Sequence, residues 1–434
     1  MAKLHFQTAF VIFILTVFYG CEKNLSPLQN MPVVQRGDIV ESRTLKIYTP
    51  DDINQILIAN GTPFNFPLTD TVEAVHISYQ TEDFHGNSIT ASGAIIVPKG
   101  GRSYPQLSIH HGTIIKRDQV ASVQVLNLAE GVIGLIMGSI GYAVCLPDYP
   151  GFGVSETLHP YIHAKSLSIA VIDFLRAAKI WCAENDIALN EQLFLTGYSE
   201  GGYVTMATHK EIEANYADEF SLTAVAPMAG PYDIVNMFET ISKSETYKEP
   251  ANMAFFMTAY DHIYGWNRLN EIFNPPFGQR MDTLFDGTKD FGEVTSRLSA
   301  NVMELFNQDV VDAYFAGNEP EIKQRLEENS LLDWTPIAPI RMFHGDADQT
   351  VFYQNALTAL DRLTANGATQ IELITISGGT HATAAVPGFL GTLGWFETFR
   401  NSGGVIAGNP SSPRFDWNAQ KNRRDFGRLG GLGL

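Results

Sequence analysis

Gly197-Tyr198-Ser199-Glu200-Gly201 sets a serine between two glycines, behind the apolar run QLFLT and ahead of a helix-forming segment that begins at Gly201. A serine on a cramped strand-to-helix turn exposes its hydroxyl, and glycines flank it because a Cβ there would collide with the neighbouring strand or helix. Serine is also a favoured helix N-cap, but a strand before and a helix after favour a nucleophile. A hydroxyl is a weak nucleophile until a base takes its proton, and the base needs an acid to orient it. Of the 11 histidines, only His209, His262, His344 and His381 follow Ser199. His209 falls two turns into the next helix, pointing away; His262 lies in a stretch of different texture and His344 at a strand end. His381, in SGGTHAT after the strand IELITIS, sits in a glycine-rich loop able to bring an imidazole over the serine. The loop in RMFHGDADQTV offers two acids. Asp348 is preferred, since one further step into the loop carries its carboxylate towards His381. Asp346 is left to brace the turn, and His344 to act as a structural hydrogen-bonding residue near the site.

A tetrahedral oxyanion needs two preorganised donors. The backbone N–H of Glu200, directly after the nucleophile, is one candidate; the N–H of Thr113, in His110-His111-Gly112-Thr113 at the end of LSIHHGT, is the other, with Gly112 allowing close approach. The adjacent His110/His111 and the pair His159/His163 raise the question of a metal. No HExxH pattern and no acidic partner at ligand spacing accompanies them, so neither metal nor cofactor is expected.

These residues need a frame. AVHISYQT and ITASGAIIVP alternate with period 2 around His85-Gly86-Asn87, which predicts a hairpin. LSIHHGT, YAVCLPDYP, QLFLTGYS, LTAVAPMAG, IRMFHGD and IELITIS then alternate with helix-length segments, which argues for a mostly parallel sheet covered on both faces, an α/β architecture. Within 164–185, Leu167, Ala170, Val171, Phe174, Leu175 and Ala178 fall at 3-4 spacing and predict a helix packed on the sheet. Between Asp233 and Trp334, aromatic residues such as Phe255, Tyr260, Trp266 and Phe277 interleave with polar ones. This reads as a helical insertion with its own core, placed to wall a pocket at the carboxyl ends of the strands. Cys145 and Cys182 are expected to be buried free thiols, a disulfide being the alternative.

Twenty-nine basic against 47 acidic side chains leave a net charge of −18 on 434 residues, which disfavours nucleic acid as a partner. The chain starts MAKLHFQTAFVIFILTVFYGC, whose apolar run from Ala9 to Gly20 is too short to span a bilayer and fits a signal peptide. Gly20-Cys21 resembles the lipobox of bacterial lipoproteins, with Phe18 and Tyr19 bulkier than its usual pattern. The expected organisation is a signal peptide over 1–20, a tether over 21–42 beginning at a lipidated Cys21, a folded domain over 43–400 with the insertion at about 234–335, and a disordered glycine-, serine- and proline-rich tail over 401–434. An exported envelope lipoprotein, attached to a membrane only through its lipid, follows from that organisation.

ASGAIIVP, HHGT, DYPGFG with HPYIHAKS, GYSEGG, VAPMAGPYD, HGDAD and GGTH together resemble the α/β-hydrolase superfamily and, within it, the secretory-lipase family and its bacterial relatives, from about Arg43 to Phe399. The resemblance implies an α/β-hydrolase fold with a helical cap between the sixth and seventh strands. It also implies Ser199 as nucleophile with Asp348 and His381 as partners, and a small-molecule or lipid ester as substrate. The segment IIKRDQVAS departs from the family's pattern, so acyl-chain preference does not transfer. The expected function is hydrolysis of carboxylic esters through an acyl-Ser199 intermediate. The alternatives are a carbohydrate esterase, a peptidase of the prolyl-oligopeptidase kind, for which a propeller-sized N-terminal domain is missing, and a binding lipoprotein on an inactive scaffold.

Overall fold

A computed structural model of the chain describes residues 35–61 and 67–402. The predicted signal peptide, Cys21, most of the tether and nearly all of the tail lie outside them. The described chain builds one nine-stranded sheet, β1 (Ile39–Tyr48), β2 (Val72–Glu82), β3 (Ser88–Pro98), β4 (Tyr104–His110), β5 (Ala143–Pro147), β6 (Leu189–Tyr198), β7 (Leu222–Met228), β8 (Ile340–Gly345) and β9 (Ile371–Ile376). Its spatial order is β1-β2-β3-β5-β4-β6-β7-β8-β9. The first three strands and the β3/β5 pair run antiparallel, and β5-β4-β6-β7-β8-β9 run parallel.

The β2/β3 hairpin forms where period-2 alternation predicts it, in register from Val72↔Pro98 to Glu82↔Ser88. Asp83 closes it by accepting the backbone N–H groups of His85 and Asn87 at 2.8 and 2.9 Å. β1 corrects the sequence reading, which left 39–42 in a tether and counted eight strands. IVESRTLKIY is an edge strand exposed along most of its length, so it lacks the apolar alternation that reveals a half-buried strand. With β1 counted, the helical insertion falls between the seventh and eighth strands, not the sixth and seventh.

Helices cover both faces. Those before the insertion are α1 (Pro50–Ala59), α2 (Ala129–Ser139), α3 (Ala164–Glu184) and α4 (Glu200–Asn215). The insertion carries α5 (Ile234–Ser242), α6 (Pro250–Tyr264), α7 (Leu269–Ile272), α8 (Met281–Leu284), α9 (Phe291–Thr295), α10 (Val302–Leu305), α11 (Gln308–Phe315) and α12 (Pro320–Asn329), and α13 (Gln354–Ala365) and α14 (His381–Ser402) follow it. Successive strand residues feed opposite cores: Leu193 and Leu195 join α3 and α4 on one face, while Phe194 joins α2 and α14 on the other. The insertion's aromatic core is continuous with the α3/α4 face. Asn329 ties it down, accepting the Ala164 N–H at 3.0 Å through Oδ1 while its carbonyl accepts the Tyr203 hydroxyl at 2.7 Å. Cys145 and Cys182 are buried and unbonded to each other.

α14 is a second difference. The sequence reading placed His381 in a loop, but it is the first residue of a 22-residue helix containing Pro387. Glycine and proline obscure that helix in the sequence, and the glycines have a packing reason: a Cβ on Gly391 would lie 2.5 Å from the Phe343 ring, and one on Gly388 3.0 Å from Met228 Sδ. Small residues here let the helix approach β7 and β8 closely.

Candidate active site

The parallel strands set the site by register. His110, the last residue of β4, pairs with Gly197 of β6, so the loop leaving β4 lies beside the turn leaving β6. Ser199 occupies that turn with φ 59° and ψ −123°, a left-handed conformation costly for a residue with a Cβ. The flanking glycines are sterically required. A Cβ on Gly197 would sit 2.4 Å from the Gly201 carbonyl oxygen, and one on Gly201 2.0 Å from that of His110. α4 starts at Glu200, one residue earlier than the sequence suggested, so the Glu200 N–H lies in a first helical turn that offers it no acceptor within the helix.

The structure brings the three predicted side chains together. His381 Nε2 lies 2.9 Å from Ser199 Oγ, and His381 Nδ1 lies 2.6 Å from Asp348 Oδ2. The other carboxylate oxygen, Asp348 Oδ1, accepts the N–H groups of Thr350 and Val351 at 2.9 and 3.0 Å. Burial alone would raise the Asp348 carboxyl, but the hydrogen bonds from His344 and His381 outweigh it and hold the group well below the usual carboxylate range. The acid therefore stays ionised and fixes the His381 tautomer with its Nδ1 proton inward. Asp346 is exposed and points elsewhere, accepting the Gly378 N–H at 2.6 Å in the loop that leads to His381. His344 Nε2, 2.9 Å from the Val351 carbonyl and 3.2 Å from Asp348 Oδ2, is a second donor to the acid. The other downstream histidines stay away from the serine: His209 bonds Glu213 at 2.8 Å and His262 bonds Asp282 at 2.9 Å.

The loop after β4 is braced from behind. Gly112 lies against the elbow, its Cβ position 3.7 Å from Ser199 Cβ, and its N–H is taken by Glu130 Oε1 at 3.1 Å. Thr113, next along, borders the same cleft as Ser199 and His381, and its hydroxyl pairs with Tyr161 at 2.9 Å. His111 stacks on Tyr149 with ring centroids 4.1 Å apart, its ring nitrogens 2.8 Å from the Gly112 carbonyl and 3.1 Å from that of Asp148. His110 is buried between Thr205 and Ser108, at 2.7 and 3.0 Å, and burial, with His111 adding a smaller push, lowers it from 6.5 to about 3. The motifs DYPGFG and HPYIH form one layer behind this loop: a Cβ on Gly151 would meet the His159 backbone at 2.5 Å. His159 bonds the Pro150 carbonyl at 2.9 Å and Glu200 at 2.6 Å, and His163 bonds Ser166 at 2.7 Å. None of these histidines converges with others: among the described residues no group of three or more histidine, cysteine or acidic side chains could hold a metal.

Two openings meet at Ser199. One is a narrow pocket of about 50 Å³ beneath the insertion, walled by Ile234, Met237, Phe238, Ile241, Met253 and Phe256, with Glu200 and Asn252 also in its lining. The other is a wider cleft of about 910 Å³ on the His381 side, where Gln119, Glu130, Lys248, Glu249, Asp290 and Thr380 stand among apolar residues such as Ile114, Leu128 and Phe291 and make it more polar than the pocket. Glu130, Asn252 and Tyr161 were not singled out by sequence, whereas His344 takes the structural hydrogen-bonding place beside the site that is expected of it. The signal of the first three is tertiary, since none has a diagnostic spacing to Ser199.

A secretory-lipase family model matches residues 128–265. Among solved structures, the rice cell wall degrading esterase LipA from Xanthomonas oryzae is similar at 28% identity and a TM-score of 0.74, over 84% of this chain and 98% of that one. A putative hydrolase from Legionella pneumophila superposes with a TM-score of 0.77 at 23% identity, over 85% of this chain and 99% of that one. Candida antarctica lipase A in its closed state does so with 0.65 at 17%, over 86% and 84%. No curated protein sequence matches significantly. Sheet order, the strained strand-to-helix turn and these likenesses give the chain an α/β-hydrolase fold similar to that of lipases and esterases.

Proposed function

We propose that the chain is a serine hydrolase that cleaves carboxylic esters through an acyl-Ser199 intermediate. The observation that carries this reading is the hydrogen-bonded relay from Ser199 Oγ through His381 to Asp348, at 2.9 and 2.6 Å, where an apolar pocket meets a polar cleft. The similarity to secretory lipases and to an esterase supports ester chemistry. His381 Nε2 accepts the Ser199 proton as Oγ attacks the ester carbonyl, and Asp348 stabilises the resulting imidazolium. The oxyanion is held by the backbone N–H groups of Glu200 and Thr113, the first at the positive end of α4. His381 then returns the proton to the leaving alkoxide. Because the alcohol departs past His381, it occupies the polar cleft, and the acyl chain takes the apolar pocket. A water activated by His381 releases the acid.

The test is labelling by a fluorophosphonate probe, with rates on p-nitrophenyl esters of increasing chain length beside a panel of peptide amides. Labelling lost in Ser199→Ala, together with ester turnover far above amide turnover, supports the reading; a Ser199→Ala variant that retains most of its esterase activity overturns it. The roomy polar cleft favours one narrower reading, a carbohydrate ester whose sugar is the leaving alcohol, in keeping with the cell-wall substrate named for the Xanthomonas relative.

A further inference from the structure

Two residues that line the apolar pocket beside Ser199 each carry a buried acceptor with no donor among the described residues. The Glu200 side chain is fully buried. Its Oε1 lies 2.6 Å from His159 Nε2, while Oε2 has no partner among the described residues. The protonation state does not alter that. His159 Nδ1 faces the Pro150 carbonyl at 2.9 Å, and a carbonyl only accepts, so Nδ1 carries a proton. His159 Nε2 then either completes an imidazolium opposite a carboxylate or receives the proton of a carboxylic acid from Oε1. Oε2 is a bare acceptor in both cases, and the pair is neutral overall in both.

Asn252 adds the second acceptor. Asn252 Oδ1 is left buried and unpartnered in the lining of the same pocket. A buried acceptor without a donor is costly, and a site built around one discriminates against ligands that cannot supply the donor.

We propose that the acyl group cleaved by this protein carries a hydroxyl on one of its first few carbons, donated to Glu200 Oε2 or Asn252 Oδ1, so that the substrates are hydroxyacyl esters rather than plain alkanoates. Glu200 follows Ser199 directly, which limits its reach to the start of the acyl chain. A hydroxyl fits better than an ammonium, because the neutral Glu200–His159 pair has no net charge to offset the desolvation of a cation among Met237, Phe238 and Ile241. The inference rests on the ester-hydrolase reading above and specifies its acyl half.

The test compares kcat/KM for p-nitrophenyl butanoate, 2-hydroxybutanoate, 3-hydroxybutanoate and 2-aminobutanoate, each divided by its uncatalysed hydrolysis rate. At least one hydroxy ester should exceed butanoate by about 10-fold or more, the scale of one buried hydrogen bond to a charged or strongly polarised acceptor. Glu200→Met should pull that ratio towards one, whereas Glu200→Gln should keep it, since the amide can donate to His159 Nε2 and leave its oxygen in the pocket. Asn252→Leu probes the second acceptor, and the wild-type ratio decides the matter even if a variant fails to fold. Equal or lower rates on both hydroxy esters, or an advantage confined to the amino ester, overturn the proposal while labelling at Ser199 leaves the hydrolase reading intact. No labelling and no turnover of any ester overturn both.

Discussion

Two aspartates separated by one alanine have different partners. Asp348 turns inward to His381 and His344, while Asp346 stays at the surface and holds the Gly378 N–H. Asp348→Asn should lower kcat by about 10⁴, because the amide stabilises the wrong His381 tautomer. Asp346→Asn retains an acceptor oxygen and should cost about 1 kcal/mol of stability at most, with kcat nearly unchanged. Steady-state kinetics and a denaturation midpoint on both variants check this, and the reverse pattern would move the acid to Asp346. The buried histidines carry a second prediction. His110 and His163 are lowered by burial from 6.5 to about 3 and about 4, so between pH 6.5 and 4.5 the unfolded chain binds protons that the folded chain does not. Stability is therefore full above pH 6.5 and falls with acid, by about 1.4 kcal/mol per pH unit for each histidine once it is protonated only when unfolded. Urea midpoints at several pH values should show this slope, and His110→Asn should reduce it by one proton's worth.

The elements convert these contacts into a rigid constellation. β4 and β6 lie side by side, so the elbow glycines touch the backbone of the neighbouring strand, and Gly201→Ala would drive a Cβ into the His110 carbonyl. That variant should lose fluorophosphonate labelling even in whatever fraction folds; wild-type labelling of a folded Gly201→Ala would show that the elbow can relax. α6 of the insertion meets the catalytic body through rings. Phe255 stacks on Tyr161 at 4.9 Å and on Phe285 at 4.6 Å, and Tyr161 in turn bonds Thr113. Phe255→Ala should cost about 3–5 kcal/mol, the range for removing a buried aromatic ring. It should also depress kcat in the folded protein by loosening the Thr113 loop, an effect that truncating an exposed ring such as Phe315 should lack.

For the whole molecule, no helix among the described residues is long and apolar enough to cross a membrane, so the proposed attachment rests on Cys21, outside them. If Cys21 is acylated, the full-length protein should partition into detergent and Cys21→Ser should release it or block its maturation. A wild-type protein found wholly in the aqueous phase, with its N-terminus at another residue, would exclude the anchor. The insertion gives the molecule its division of surfaces, an apolar pocket beneath α5 and α6 and a polar cleft on the His381 side. Under the proposed function, that division, more than Ser199, His381 and Asp348, decides which esters fit.

What the sequence by itself determined is local or periodic in origin. The α/β architecture follows from continuous apolar strands alternating with amphipathic helices. The Ser199 turn follows from glycines whose need is set by immediate neighbours, and His381 and the pair Asp346/Asp348 follow from their places just after strands. β1 escaped because an exposed edge strand has no apolar alternation, and α14 because Pro387, Gly388 and Gly391 imitate a loop while serving close packing on β7 and β8. The sequence reading prefers Asp348 to Asp346, and the tertiary structure turns that carboxylate to His381 because the strand order brings the two loops together. The tertiary structure alone placed Glu200 against His159, 41 residues away, and left Oε2 buried without a donor among the described residues. Hydrogen-bond partners across such distances are chosen by the packed geometry of the sheet and its insertion, for which spacing along the chain has no counterpart.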